Sequence, residues 1–570
     1  MAVAAALVVA ASLTASPRSW GGPVATTPPP NFVFILTDDQ TLEQMRVLPR
    51  TTALIGAPGA TFENAFVSFP LCCPSRATFL TGQYAHNHRV LENYPPIGGF
   101  QALNAEETLP VWLSRAGYYT GLIGKLMNGY NTSPVGVPPG WSEWHGEKTE
   151  NRYYGYQLLE DGQLVTYGDP NENPVAPKHP ETYSTDVYTG KAVDFIERRA
   201  PEPQPYLLWL SYNAPHSGDP RPPNSVPDRC AGNAKPAARH LDAFVNEPLP
   251  PAPAYNEADI SEKPRSLQAL APLTDGDTQA IDDIYTCELA SLLAVDQGVE
   301  KVMNALAATG ELDNTYVVFA SDNGFFHGEH RIIFGKNRFY EEATHIPLLM
   351  RGPGIPAGST IDELVGNVDF APTVLAAAGA TPGIPEDGRS LLPLIARPDR
   401  ELGREILFDT NTYKGIRTQR YAYAEHFARK DRGEKELYDL KRDPYELDSV
   451  HADPRYEDVR RALHRELRRL RVCDGAECHT RPQLRVKRDG ADACTEAYVI
   501  VRLVGDDAKL VRRARFGAFG RLFRSDRRAP FRAQLPRRRL GKGAVDVKAT
   551  LIDGRQATLK RKLRCPPRAG

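Results

Sequence analysis

Five runs of consecutive apolar residues punctuate the first 350 positions. They are Asn31-Phe-Val-Phe-Ile-Leu-Thr37, Tyr119-Thr-Gly-Leu-Ile123, Tyr206-Leu-Leu-Trp-Leu-Ser-Tyr212, Thr315-Tyr-Val-Val-Phe-Ala320 and Ile346-Pro-Leu-Leu-Met350. A strand with one face in water alternates apolar and polar side chains. A strand covered on both faces has no need to, and these runs do not alternate. Amphipathic stretches, Thr185 to Arg198 and Gln279 to Ala308, lie between them. The alternation predicts an α/β fold, a large mixed, mostly parallel sheet with helices on both faces. Two intervals rich in Pro, Gly and Asn, 130–180 and 217–275, interrupt the pattern and are expected to be long functional loops.

After Arg389 the texture changes. Glu405 to Phe408, Gly415 to Thr418, Tyr421 to His426 and Glu436 to Leu440 read as a small antiparallel sheet, followed by a charged helix from Pro454 to Arg471. Beyond Cys473, Ala497 to Val504 and Ala544 to Ile552 read as strands of a further β module. The expected units are 1–30 (signal peptide and linker), 31–388 (catalytic domain), 389–472 (a small α+β subdomain) and 473–570 (a basic, disulfide-containing β module). The net charge of −1 conceals an asymmetry, for residues 481–570 hold 25 Lys and Arg against 8 Asp and Glu, a net of +17. Such a module is either a solvated basic face or a surface for anionic glycans and other polymers.

Met1 to Ala15 is apolar, ends in small residues and is too short to span a membrane, so it reads as an export signal, with a mis-assigned start as the alternative. Nothing else is long and apolar enough for a membrane span, and nothing points to specific nucleic-acid binding. Cys473, Cys478, Cys494 and Cys565 are expected to form two disulfides in an oxidising, extracytoplasmic compartment.

The chemistry gathers at the carboxyl ends of the predicted strands, where open α/β sheets bind ligands. Asp38-Asp39 ends the first strand, Gly124-Lys125 the second, Asn213-Ala-Pro-His216 the third and Ser321-Asp322-Asn323-Gly324 the fourth. Asp38, Asp39, Asp322 and Asn323 converge as an all-oxygen donor set that suits Ca²⁺, or less well Mg²⁺. Lys125 and His216 add positive donors at the same rim, so the site suits an anion beside a metal.

The stretch Leu71-Cys72-Cys73-Pro74-Ser75-Arg76-Ala77-Thr78-Phe79-Leu80-Thr81-Gly82 carries the decisive motif. It resembles the signature of the sulfatase family, Cys-x-Pro-Ser-Arg followed by Leu-Thr-Gly. The resemblance extends over most of 31–472 through Thr37-Asp-Asp-Gln40, Gly335-Lys336, Arg351-Gly-Pro-Gly-Ile355, Val368-Asp-Phe-Ala-Pro-Thr373 and Glu436-Leu-Tyr-Asp-Leu440. The doubled Cys, Ala85-His-Asn-His88 and Pro138-Pro-Gly-Trp141 look most like the glucosamine-6-sulfatase and heparan 6-O-sulfatase branch.

The resemblance implies an alkaline-phosphatase-like fold and hydrolysis of sulfate esters, on a sulfated sugar or glycan. It implies that a formylglycine-generating enzyme oxidises Cys72 to formylglycine, whose hydrate attacks sulfur and forms a sulfated enzyme intermediate. Residue 72 then also joins the metal set. Arg76 is expected to hold the hydrate, and Lys125, His216 and Lys336 to contact the sulfate and neutralise the charge that develops. Met127 departs from the Gly-Lys-x-His pattern of many arylsulfatases, which leaves Asn128, His327 and His330 as candidates for assisting sulfate release. Asn128 is also a candidate substrate contact, and Trp141 or Trp144 a ring face for a sugar. A broad arylsulfatase, a phosphonate or phosphodiester hydrolase of the same superfamily, and a non-catalytic binding protein are the competing readings.

Overall fold

The computed structural model describes residues 28–562 except 171–176, 219–228, 231, 251, 399–401, 480–483, 490–497, 519–520, 537–538, 541–543 and 553–555. The expected signal segment Met1 to Ala15, Cys494 and Cys565 lie outside the described residues.

A ten-stranded sheet organises the first 360 residues. In chain order its strands are β1 (Asn31–Asp38), β2 (Ala60–Phe62), β3 (Tyr119–Gly124), β4 (Glu143–Glu147), β5 (Tyr156–Glu160), β6 (Gln163–Tyr167), β7 (Tyr206–Pro215), β8 (Thr315–Ser321), β9 (Leu348–Arg351) and β10 (Ser359–Ile361). They lie side by side as β10-β2-β9-β8-β1-β7-β3-β4-β5-β6. The centre, β8-β1-β7-β3-β4, is parallel throughout, and β9 and β5 join it antiparallel. Every residue of β1, β7 and β8 is buried, as their unbroken apolar runs require. Phe34, Trp209 and Phe370 pack on one face of the sheet, and Ile35, Leu208 and Val299 on the other.

The helix Ser184–Arg199 and the long helix Asp275–Ala308 cover the second face together. The long helix starts at Thr274, which forms a reciprocal capping box with Asp277. The interval 130–180 is not one long loop, because β4, β5 and β6 extend the sheet there. Trp144, expected as a ring face for a sugar, is fully buried against Tyr130, and Trp141 packs half-buried beside it.

Ile406–Asp409, Tyr413–Arg417, Tyr421–His426 and Lys435–Asp439 form an antiparallel meander, and the helix Glu457–Leu470 packs on it. The C-terminal strands form a three-stranded and a four-stranded antiparallel sheet around one apolar core. One expected disulfide is present, Cys473–Cys478. A second, Cys230–Cys287, ties the chain at residue 230 to the long helix. Spacing did not reveal it, because 57 residues separate its halves.

Candidate active site

β1 slips register against β7 between Leu36 and Asp38, and Asp39 adopts φ 70. A bulge and a left-handed residue at a strand end re-aim side chains, and such strain is typical where a site depends on it. Both carboxylates thereby meet the ends of the neighbouring strands. The Asp39 N–H donates to Asp322 Oδ1 at 3.2 Å. Arg76, fully buried, ties four strand ends together. Its Nε donates to Asp322 Oδ2 (2.7 Å), Nη2 to Asp38 Oδ2 (3.0 Å), and Nη1 to the Lys125 carbonyl and Ser211 Oγ (2.8 Å each). These bonds make Arg76 the clamp of the carboxylates, beside Cys72.

Cys72 opens the buried helix Cys72–Thr81, which ends at Gly82 in the left-handed region (φ 65). Its Sγ lies 3.5 Å from Asp38 Oδ1 and 2.9 Å from Lys336 Nζ. Lys336 also pairs with Asp39, and Lys125 with Asp38. His216 turns Nδ1 to the Ser217 carbonyl (2.7 Å), and its Nε2 lies 3.7 Å from Asp39 Oδ2. Ligand atoms of Asp38, Asp39, Cys72 and His216 all fall within 4.8 Å of one another.

Three buried carboxylates here face three fixed cations. Burial alone would raise Asp38, but Lys125, His216, Arg76 and Lys336 outweigh it and hold the carboxyl well below the usual range. Burial, then Asp38, pushes the Cys72 thiol far up. An unmodified Cys72 is therefore a protonated thiol and a poor nucleophile.

Cys73 points elsewhere: its Sγ approaches Asn128 Oδ1 (3.5 Å) and the Asn93 carbonyl (3.7 Å), and it is not bonded to Cys72. Asn128 is buried and spends its amide on Tyr94 and Glu150. His327 and His330 are held by Glu288 (2.8 Å) and Glu257 (2.6 Å).

The model of the sulfatase family matches residues 30–380, and that of the N-sulphoglucosamine sulphohydrolase C-terminal region matches 328–473. The chain belongs to the sulfatase family. The Drosophila melanogaster extracellular sulfatase SULF-1 homolog is 35% identical over 377 residues, covering 65% of this chain and 32% of that protein. Human N-acetylglucosamine-6-sulfatase is 36% identical over 386 residues, 66% of each chain. The chain thus spans about a third of the first relative's length and about two thirds of the second's. A solved structure of a protein in complex with its substrate D-glucosamine-2-N,6-O-disulfate superposes with a TM-score of 0.61 at 26% identity. It covers 79% of this chain and 98% of that one.

The residues of the site fit a hard divalent cation. The donors are carboxylate and amide oxygens, and Asn323 Oδ1 is a buried acceptor with no hydrogen-bond partner, although its Nδ2 is engaged by Asp39 Oδ1 at 2.6 Å. A cavity of about 260 Å³ adjoins the site, with Lys336, Asn337 and Arg338 on one wall and Thr412, His426 and Asp431 on the other. Asn337 Oδ1 is a second buried acceptor without a partner. Glu436 takes hydrogen bonds from Tyr340 and Tyr438 (2.6 Å each) and from His426 Nε2 (2.7 Å). His426 therefore keeps Nδ1 for another partner. Sequence reasoning missed Asn337, Arg338, His426 and Asp431. Their one signal was proximity to Gly335-Lys336 and to the end of a strand.

Proposed function

We propose that the protein is an exported sulfatase that hydrolyses the sulfate ester of a sulfated sugar, such as a 6-O-sulfated glucosamine or a glycan that contains it. The observation that carries this reading is Cys72 Sγ standing between Asp38 and Lys336, with Lys336 also lining the adjoining cavity. At about 260 Å³ the cavity falls just below the ~300–1,000 Å³ of drug-sized pockets, which suits one ring. The catalytic unit spans 31–388, with 389–472 closing the cavity.

Formylglycine, made from Cys72 by a formylglycine-generating enzyme, supplies a hydrated aldehyde as nucleophile. A divalent cation, Ca²⁺ in preference to Mg²⁺, supplies Lewis acidity, held by Asp38, Asp39, Asp322, Asn323 and residue 72. The chain's own residues do the rest. Arg76 keeps Asp38 and Asp322 oriented. With three carboxylates balanced by Arg76, Lys125 and Lys336, a bound cation leaves the site net positive, ready for an anion. Lys125 and Lys336 neutralise charge on the sulfuryl group. His216 Nδ1 is committed to a carbonyl, so Nε2 of the neutral ring is a proton acceptor, better placed to assist sulfate release than His327 or His330. His426 Nδ1, Asp431 and Asn337 Oδ1 accept from sugar hydroxyls. The basic module supplies attachment to anionic polymers.

The test is mass spectrometry of the peptide containing position 72, with assays on aryl sulfate, aryl phosphate and glucosamine 6-sulfate. Formylglycine at 72, loss of sulfatase activity in Cys72→Ala and its retention in Cys73→Ala are expected. Activity surviving in Cys72→Ala, or faster turnover of the phosphate ester, would sink the reading.

A further inference from the structure

The cavity beside Cys72 holds one more cation than its internal pairs use. Among the described residues that line it, Lys336, Arg338 and His426 carry basic groups, and Asp431 and Glu436 carry carboxylates. Lys336 is spent on Asp39, with its Nζ 2.9 Å from Cys72 Sγ. Glu436 is spent on His426, Tyr340 and Tyr438. Asp431 is buried and accepts from the Ser266 N–H through Oδ1 at 2.7 Å. That leaves Arg338. Its Nη1 reaches Ser266 Oγ at 3.4 Å, a long bond to a neutral group, and no carboxylate among the described residues forms an ion pair with it.

The backbone around residue 338 is well anchored. Asn337, at φ 61, donates its N–H to the Pro70 carbonyl (2.9 Å), and buried Tyr413 donates to the Arg338 carbonyl (2.7 Å). The half-buried side chain thereby stands on the same wall as Lys336. Two residues of chain span at most about 7 Å, so a single sugar unit held at Lys336 comes within reach of Arg338. Such a unit strips water from the guanidinium. Covering a cation with neutral hydroxyls costs free energy, whereas an anion in the same place forms charge-assisted bonds that offset the lost water. A guanidinium also presents its N–H groups as a planar fork, which suits an oxyanion.

We propose that Arg338 sets substrate specificity by binding a second anionic group, a sulfate or a carboxylate, while the ester to be cleaved lies at Lys336. The preferred substrate then carries two negative charges, and a singly sulfated sugar leaves Arg338 unmatched. The identity of the first group rests on the sulfatase reading. The selectivity at Arg338 is measurable without turnover.

The experiment measures binding to full-length Cys72→Ala protein with Ca²⁺ present, by calorimetry at low salt. The probes are N-acetylglucosamine 6-sulfate, its N-sulfated counterpart, and a disaccharide joining the first sugar to a uronic acid. At least one doubly charged probe should bind about tenfold more tightly than the singly charged one. Adding Arg338→Gln should remove that margin and change binding of the singly charged sugar by no more than about threefold. Arg338→Lys should restore part of the margin, because it keeps the charge and loses the fork. Loss confined to the N-sulfated sugar identifies a sulfate as the second group, and loss confined to the disaccharide identifies a carboxylate. Equal binding of all three probes, or no binding of any, would overturn the proposal. So would equal loss of all three in an Arg338→Gln protein whose melting temperature is unchanged. Turnover of the same sugars by the unaltered protein is followed separately. If none is hydrolysed while the binding margin stands, the sulfatase reading fails and the selectivity at Arg338 survives it.

Discussion

At the scale of single residues, the site is a set of buried charges that exist only in one another's company. Asp322 illustrates this: both its oxygens are engaged, Oδ2 by Arg76 at 2.7 Å and Oδ1 by the Asp39 N–H at 3.2 Å, in complete burial. Asp322→Ala removes one carboxylate from the donor set and leaves the Arg76 guanidinium half-paired. Bound divalent metal and activity are expected to fall together, with a stability loss of about 3 kcal/mol from the uncompensated buried charge. A full metal complement in an inactive Asp322→Ala protein would exclude it as an essential ligand. The cavity makes a different demand. His426→Ala and Arg338→Ala touch neither Cys72 nor the carboxylates, so each should raise KM for a sulfated sugar several-fold, about 1 kcal/mol per lost hydrogen bond. Turnover of a small aryl sulfate should hold. Equal losses on both substrates would mean that these residues support the site's architecture and do not hold a sugar.

At the scale of elements, the strands that bear the chemistry were legible because burial on both faces leaves a continuous apolar signature. The runs at 31, 119, 206 and 315 begin where β1, β3, β7 and β8 begin. The convergence of the candidate site residues was legible for the same reason, since strand ends place them. The cavity's far wall was not, because His426 and Asp431 reach it from an antiparallel meander whose placement depends on tertiary packing. The Ala85–His88 helix, quoted from sequence only as part of the family resemblance, braces the fold. His86 Nδ1 meets Asp409 Oδ2 (2.7 Å) and its Nε2 meets the Cys473 carbonyl (2.8 Å). Asn87 donates to Asp387 (2.8 Å), and His88 Nε2 lies 3.1 Å from Thr78 Oγ1. Both nitrogens of His86 face acceptors, an arrangement only the imidazolium satisfies. Burial alone would lower its pKa, but the hydrogen bond and charge of Asp409 raise it above 6.5. With the folded value above the unfolded one, the stabilisation is complete below about pH 6.5 and fades as pH rises through the folded pKa. His86→Ala should therefore cost about 1–2 kcal/mol at pH 6 and distinctly less at pH 9. A cost that does not vary with pH would show that His86 acts by packing.

At the scale of the whole molecule, the large sheet is buried in its parallel centre, and its rim is held by cross-links between distant parts of the sequence. The 217–275 interval carries no strand of its own among its described residues, yet Glu257 holds His330, Lys263 reaches Tyr438, and Pro264 and Leu267 line the cavity. Cys230–Cys287 fastens that interval to the long helix one residue before Glu288, which in turn takes hydrogen bonds from Gln44 (2.6 Å) and His327 (2.8 Å). A bond closing 57 residues constrains the unfolded chain strongly, by about 4 kcal/mol in the chain-entropy account, whereas Cys473–Cys478, closing 5, contributes about half as much. Replacing Cys230 and Cys287 by Ser should therefore lower the melting temperature more than replacing Cys473 and Cys478. Dithiothreitol should lower it in the unaltered protein and act only weakly on the Cys230→Ser/Cys287→Ser variant. The folded variant should keep its turnover, because the helix rests on β7 through its own apolar face and the carboxylates are clamped by Arg76. Equal thermal losses from the two pairs would show that loop closure is not what this disulfide contributes. Turnover lost in a variant that remains folded would mean instead that the cross-link positions the rim of the active site.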